Sequence, residues 1–128
     1  MDGVINLFKP PGMTSFDVVA VLRHIYGQKK IGHAGTLDPL AAGILPVFLG
    51  RAARLIEYAP VHPKVYAAEF LMGICTDTED AGGHVIGTEK YFPDRSVWEK
   101  AASHMTGVTE QIPSSYSAVR VGGTHAYT

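Results

Sequence analysis

Ten residues into this chain, Pro10-Pro11-Gly12 prevents any regular element from continuing. Two consecutive prolines remove two backbone donors and lock two φ angles, and the glycine that follows favours a turn. The apolar run Val4 to Phe8 must therefore end there, and its length suits one short strand. A new element begins beyond the turn. Val18, Val21, Leu22 and Ile25 recur at i, i+3, i+4 and i+7, which predicts a helix with Ser15 as its cap and Gly27 as its stop. With 14 Gly and 8 Pro, the same punctuation continues, and it dictates short elements separated by turns.

Lys29 to Leu40 reads as a loop. Ile44 to Leu49 is a continuous apolar run bounded by glycines, and Pro46 within it favours a buried strand over a helix. Arg51 to Tyr58 fits a helix of two turns. From Lys64 to Met72 the residues alternate, with Tyr66, Ala68, Phe70 and Met72 on one face, which predicts a strand. Thr76 to Gly83 is an acidic turn, and Gly82-Gly83 permits a hairpin return into His84–Thr88. Ser96 and Glu99 make a capping box for a helix running to about Met105, with Val97, Trp98, Ala101, Ala102 and Met105 turned to the core. Strands interleaved irregularly with a few helices predict an α+β fold, with a mixed, largely antiparallel sheet and flanking helices.

Composition adds limits rather than detail. A balance of 46% apolar to 18% charged residues is that of a globular domain, and 128 residues suffice for one core. The single cysteine, Cys75, has no disulfide partner and no Cys or His companion at metal-ligand spacing, so neither a structural disulfide nor a metal is expected. This fits a reducing cytoplasm. No segment reaches the roughly eighteen apolar residues of a membrane span, and Met1-Asp2-Gly3 does not open a secretory signal. The net charge of −1 conceals an asymmetry. Residues 1–66 hold seven Lys/Arg against four Asp/Glu, a net of +3, and residues 67–128 hold four against eight, a net of −4. Only the first half suits a phosphate-rich partner, although solvated surface explains so small a bias equally well.

Two loops concentrate residues of restrictive chemistry. Lys9-Pro-Pro-Gly-Met-Thr-Ser15 runs into a helix N-terminus, whose free N–H groups suit a phosphate; it also fits an ordinary strand-to-helix turn. Gly32-His-Ala-Gly-Thr-Leu-Asp-Pro-Leu-Ala-Ala-Gly43 places one carboxylate, Asp38, between apolar Leu37 and stiff Pro39. Partly desolvated, such a carboxylate is a reactive nucleophile or base; equally, Asp before Pro often caps a turn. Tyr66 on its strand reads as a core aromatic, and His33 as a surface residue or a turn donor.

Taken together, Lys9-Pro-x-Gly-x-Thr-Ser15 and Gly32-His-x-Gly-Thr-Leu-Asp-Pro-x-Ala-x-Gly43 resemble the first two motifs of TruB-type tRNA pseudouridine synthases. The resemblance continues through Lys64-x-Tyr66, Gly73-x-x-Thr-Asp-Thr-x-Asp80-x-x-Gly83, Gln111-x-Pro113 and Tyr116-Ser-Ala118, so it covers nearly the whole chain. Ser114 and Arg120 depart from it, where a proline and a lysine are usual. The resemblance implies a pseudouridine synthase fold, incomplete here, with residues 1–128 as the N-terminal portion of the catalytic domain; the rest of that domain and an RNA-binding domain would follow. It implies conversion of uridine to pseudouridine in the T arm of tRNA, at position 55, with no metal and no cofactor. Asp38 becomes the catalytic carboxylate and Tyr66 the ring that stacks on a flipped uracil. His33 fills the vacated space, while Lys9, Gly35, Thr36 and Lys64 join the substrate site with Lys29 and Lys30 as further phosphate contacts. Asp80 is a second carboxylate for a basic partner. The expected partner is tRNA, the full-length protein is expected to be monomeric, and this stretch alone is expected to be inactive. A non-catalytic RNA-binding or RNA-folding module is the alternative, against which the intact Asp38 and Tyr66 argue.

Overall fold

The computed structural model describes residues 1–59, 63–110 and 112, and the backbone of 120–121 and 124–125. The chain divides into two compact units, Met1–Val65 and Tyr66–Thr128.

The first unit is built on a three-stranded antiparallel sheet. Strand β1 (Gly3–Lys9) leads through the proline turn into helix α1 (Ser15–Tyr26), followed by β2 (Ile31–His33), β3 (Gly43–Leu49) and a 3-10 helix (Gly50–Tyr58). The strand order is β1-β3-β2. The register pairs Ile5 with Val47, Leu7 with Leu45, Lys9 with Gly43, and Ile31 with Leu49. Directly paired residues share a face, so one face of the sheet carries Ile5, Leu7, Leu45, Val47, Leu49 and Ile31. That face meets Val18, Val19 and Leu22 of α1, with Met13 and Leu37 packed against the cluster, and this is the core. The opposite face leaves Val4, Phe8 and Ile44 exposed.

Pro46 sits in the central strand, where a missing donor would ordinarily cost a ladder bond. Its carbonyl accepts from the Ala34 N–H on the β2 side. A strand residue turns its N and C=O to the same side, so the Pro46 nitrogen faces the space just past the end of β2, and no bond to β1 is lost.

Helix α1 departs from its predicted form in two ways. Its N-cap is Thr14, whose side chain accepts from the Asp17 N–H while Asp17 accepts from Thr14, a complete capping box. Ser15 is thus the first helical residue and its hydroxyl is free for other work. The buried stripe is Ser15, Val18, Val19 and Leu22, while Val21 and Ile25 are exposed. It obeys the predicted spacing displaced by three residues, because the sheet covers the side of the helix that carries Val19. Within the predicted loop Lys29–Leu40, residues 31–33 form β2, too short to show a period. The predicted two-turn helix is present in 3-10 form.

The second unit pairs β4 (Ile74–Thr76) with β5 (Val85–Thr88), so the hairpin's return strand lies where expected while its partner is 74–76 and not 64–72; it adds helix α2 (Arg95–His104) and a two-residue antiparallel pair, β6 (Arg120–Val121) with β7 (Thr124–His125). All strand pairs described are antiparallel, and the fold is α+β as predicted. Two expectations fail here. Residues 64–72 form no strand, and Val65, Tyr66, Phe70 and Leu71 are exposed. Alternation suits a segment to a sheet, but a strand exists only where a neighbour takes its hydrogen bonds. Helix α2 starts after Asp94 with no side-chain cap, Glu99 pairs with Arg95 rather than with Ser96, and the helix buries no residue. The predicted stripe is present but uncovered. Among the described residues no helix is long and apolar enough to cross a membrane.

Candidate active site

Only two polar residues are buried among those described, Lys9 and Ser15, at 0% and 2% exposure. Ser15 is spent on the loop that carries Asp38, and Lys9 chiefly on the proline turn packed beside it. Lys9 is the last residue of β1 and shares the parity of Ile5 and Leu7, so the strand's period of two directs it to the core side. Its Nζ donates to the carbonyls of Met13 at 2.7 Å, Pro10 at 3.0 Å and Pro39 at 3.4 Å. A buried ammonium is tolerated only with such partners. The Ser15 hydroxyl donates to the Leu37 carbonyl at 3.2 Å and accepts from the Leu37 N–H at 2.9 Å. Gly12 completes the junction, its N–H donating to the Pro39 carbonyl at 2.7 Å. The φ of +84° at Gly12 belongs to the left-handed region that side chains resist.

Asp38 lies between these anchored neighbours and is exposed. Its carbonyl accepts from Ala41 at 3.0 Å, which closes the turn through the backbone. Among the described residues no donor reaches its carboxylate, so the side chain does not cap the turn. The partial desolvation expected of it is not seen in the chain by itself, because Leu37 turns inward to the core rather than over the carboxylate.

His33 ends β2, half-buried, with Nδ1 2.9 Å from the Gly35 carbonyl. A carbonyl only accepts, so this contact is a hydrogen bond in the tautomer whose Nδ1 bears the hydrogen. Gly35, at φ +81°, and Thr36 are exposed on the same loop. The structure thus brings His33, Gly35, Thr36 and Asp38 together on one loop. Lys29, Lys30 and Lys64 are exposed. Lys9, expected at the substrate site, is buried here, its ammonium enclosed by the carbonyls of Pro10, Met13 and, at longer range, Pro39.

A family profile described as "TruB family pseudouridylate synthase (N terminal domain)" matches residues 23–128. The chain belongs to the TruB family. Its TruB relatives include the tRNA pseudouridine synthase B of Symbiobacterium thermophilum, 48% identical over 99% of this chain and 43% of that protein. That of Streptococcus pneumoniae is 45% identical over 99% of this chain and 44% of that protein. The chain therefore spans less than half the length of the curated TruB proteins it matches. Among solved structures, a chain of an H/ACA ribonucleoprotein bound to a substrate RNA containing 2'-deoxyuridine is similar over 44% of this chain and 18% of its own. There the identity is 54% and the TM-score 0.43.

The two leading motifs of this TruB chain, 9–15 and 32–43, are thus one structural device rather than two neighbouring sites. The sequence reading missed this role for Ser15, although a signal was there: Ser15, Val18, Val19 and Leu22 follow i, i+3, i+4, i+7, which puts a serine on the buried stripe. Tyr66 and Asp80 belong to the second unit. Tyr66 is exposed and outside any strand. Asp80 sits in the turn of the β4–β5 hairpin, where one carboxylate oxygen accepts from the Thr78 hydroxyl at 2.7 Å and the Gly82 N–H at 2.8 Å. The Thr78 hydroxyl, then the Gly82 N–H, hold its carboxyl below the usual carboxylate range. The motif residues Gln111, Pro113 and 116–118 lie outside the described residues.

Proposed function

We propose that the protein containing this stretch isomerises uridine to pseudouridine in tRNA, in the T arm at position 55, with Asp38 as the catalytic carboxylate. The observation that carries this reading is the exposed Asp38 carboxylate on a loop whose residues on either side, Leu37 and Pro39, are hydrogen-bonded into the first unit. A binding surface has no need of such a fixed, solvent-facing carboxylate, whereas chemistry on an extruded base does. The names of the relatives, tRNA pseudouridine synthase B, support the substrate class. In the reaction the N1–C1′ bond breaks, the base turns, a C5–C1′ bond forms, the C5 hydrogen leaves to solvent, and N1 gains a proton. Atoms balance without an external reactant.

In this reading Tyr66 stacks on the flipped uracil, and His33, Gly35, Thr36 and Lys64 line the substrate. Asp80 keeps one carboxylate oxygen for a basic group. Residues 1–128 form the N-terminal portion of the catalytic domain, as the description of the matching profile supports. The test is tritium release from tRNA labelled at uridine C5, using the full-length protein and Asp38→Asn. Turnover should vanish in the variant while tRNA affinity stays within about tenfold, or about 1.4 kcal/mol. Turnover within tenfold of wild type would refute the assignment. Tight tRNA binding with no tritium release by the wild type would favour a non-catalytic RNA-binding module.

A further inference from the structure

We propose that Ser15 is a positioning residue for Asp38, acting through the backbone of Leu37. A hydroxyl has one hydrogen to give and lone pairs to receive. Ser15 uses both on a single residue, donating to the Leu37 carbonyl and accepting from the Leu37 N–H. It does so from the first turn of α1, at 2% exposure, where water cannot substitute for either bond. The residue so held immediately precedes Asp38. On the far side, the Pro39 carbonyl is held by the Gly12 N–H. With both flanking residues anchored and its own carbonyl tied to Ala41, Asp38 keeps only its side-chain torsions as soft degrees of freedom. The cap of α1 is supplied by Thr14 and Asp17, so the Ser15 hydroxyl is not needed to start the helix. Nor does it face solvent to meet a ligand.

This inference rests on the reading of Asp38 as the catalytic carboxylate, and its consequence is specific. Removing the hydroxyl leaves the helix start intact, since alanine suits a first-turn position, but frees the Leu37 backbone and lets the carboxylate wander. Misplacement by about 1 Å costs on the order of a hundredfold in rate. The groups exposed to RNA are unchanged, so the loss falls on kcat rather than KM.

The test compares the full-length wild type with Ser15→Ala, Val19→Ala and Asp38→Asn by tritium release and thermal melting. Val19 is a core residue of the same helix, 1% exposed, and serves as the purely structural control. Ser15→Ala should lower kcat by about ten- to a hundredfold with KM within threefold, at a melting temperature no lower than that of Val19→Ala. Val19→Ala should keep its kcat per folded molecule. Equal kcat values for Ser15→Ala and Val19→Ala, with the wild type active and Asp38→Asn inactive, would overturn the positioning role alone. An inactive wild type would overturn the functional reading and this assignment with it. If Ser15→Ala does not fold, Ser15→Cys, which keeps a weak donor and acceptor, carries the same comparison with a smaller fall in kcat.

Discussion

Replacing Lys9 by methionine separates a structural lysine from an RNA-binding one. Methionine keeps the unbranched stem that β1 buries but removes the ammonium. The Pro39 carbonyl retains the Gly12 N–H at 2.7 Å, so its long bond to Nζ matters little. The Met13 and Pro10 carbonyls, 2.7 and 3.0 Å from Nζ, lose that donor. An unmade bond costs about 1–3 kcal/mol. Because the turn itself is largely exposed, water can reach part of the deficit, and the lower end applies, about 2 kcal/mol for the pair. In a protein longer than this chain, each kcal/mol moves the melting temperature by about 2–4 °C, so Lys9→Met should melt about 4–8 °C lower. The second measurement is tRNA affinity against salt. A lost phosphate contact would reduce the slope of log K on log salt by about 0.7–0.9, whereas a buried lysine predicts an unchanged slope. An unchanged melting temperature with a reduced slope would refute the placement of Lys9 and restore it to the RNA surface.

Two further outcomes are expected. Tyr66→Leu should remove stacking worth about 1–3 kcal/mol from the reaction while barely moving the melting temperature, since the residue is 64% exposed; lowered stability with unchanged activity per folded molecule would make it a packing residue instead. The Thr14 hydroxyl, then the Thr14 N–H, hold the Asp17 carboxyl below its usual range. A depressed folded-state pKa gives stability that is present above the unfolded value and lost as pH falls through the folded one. The melting gap between wild type and Asp17→Asn should therefore be widest above about pH 5 and close below about pH 4; a gap that grows on acidification contradicts the capping box.

The residues of the candidate site were legible as candidates because they are written in order along the chain: the two motif loops, Asp38 between Leu37 and Pro39, and His33 at the start of its loop. So were β1, β3, and the turn and return strand β5 of the hairpin, since turn residues and apolar runs are local signals. Which polar groups serve the loop was decided by tertiary structure. Lys9 reads as a surface cation until its pairing with Gly43 carries β1 past Phe8 and α1 covers the face it shares with Ile5 and Leu7. Ser15 reads as a cap until Thr14 takes that role and the sheet covers the Val19 side of α1. The segment 64–72 and helix α2 show the converse: alternation and an apolar stripe state what a segment can bury, but burial needs a second surface. Sequence sets each residue's chemistry and periodicity. Where a side chain points, and which donor meets which acceptor, depends on contacts between residues distant in the chain, and those exist only once the sheet has closed over the helix.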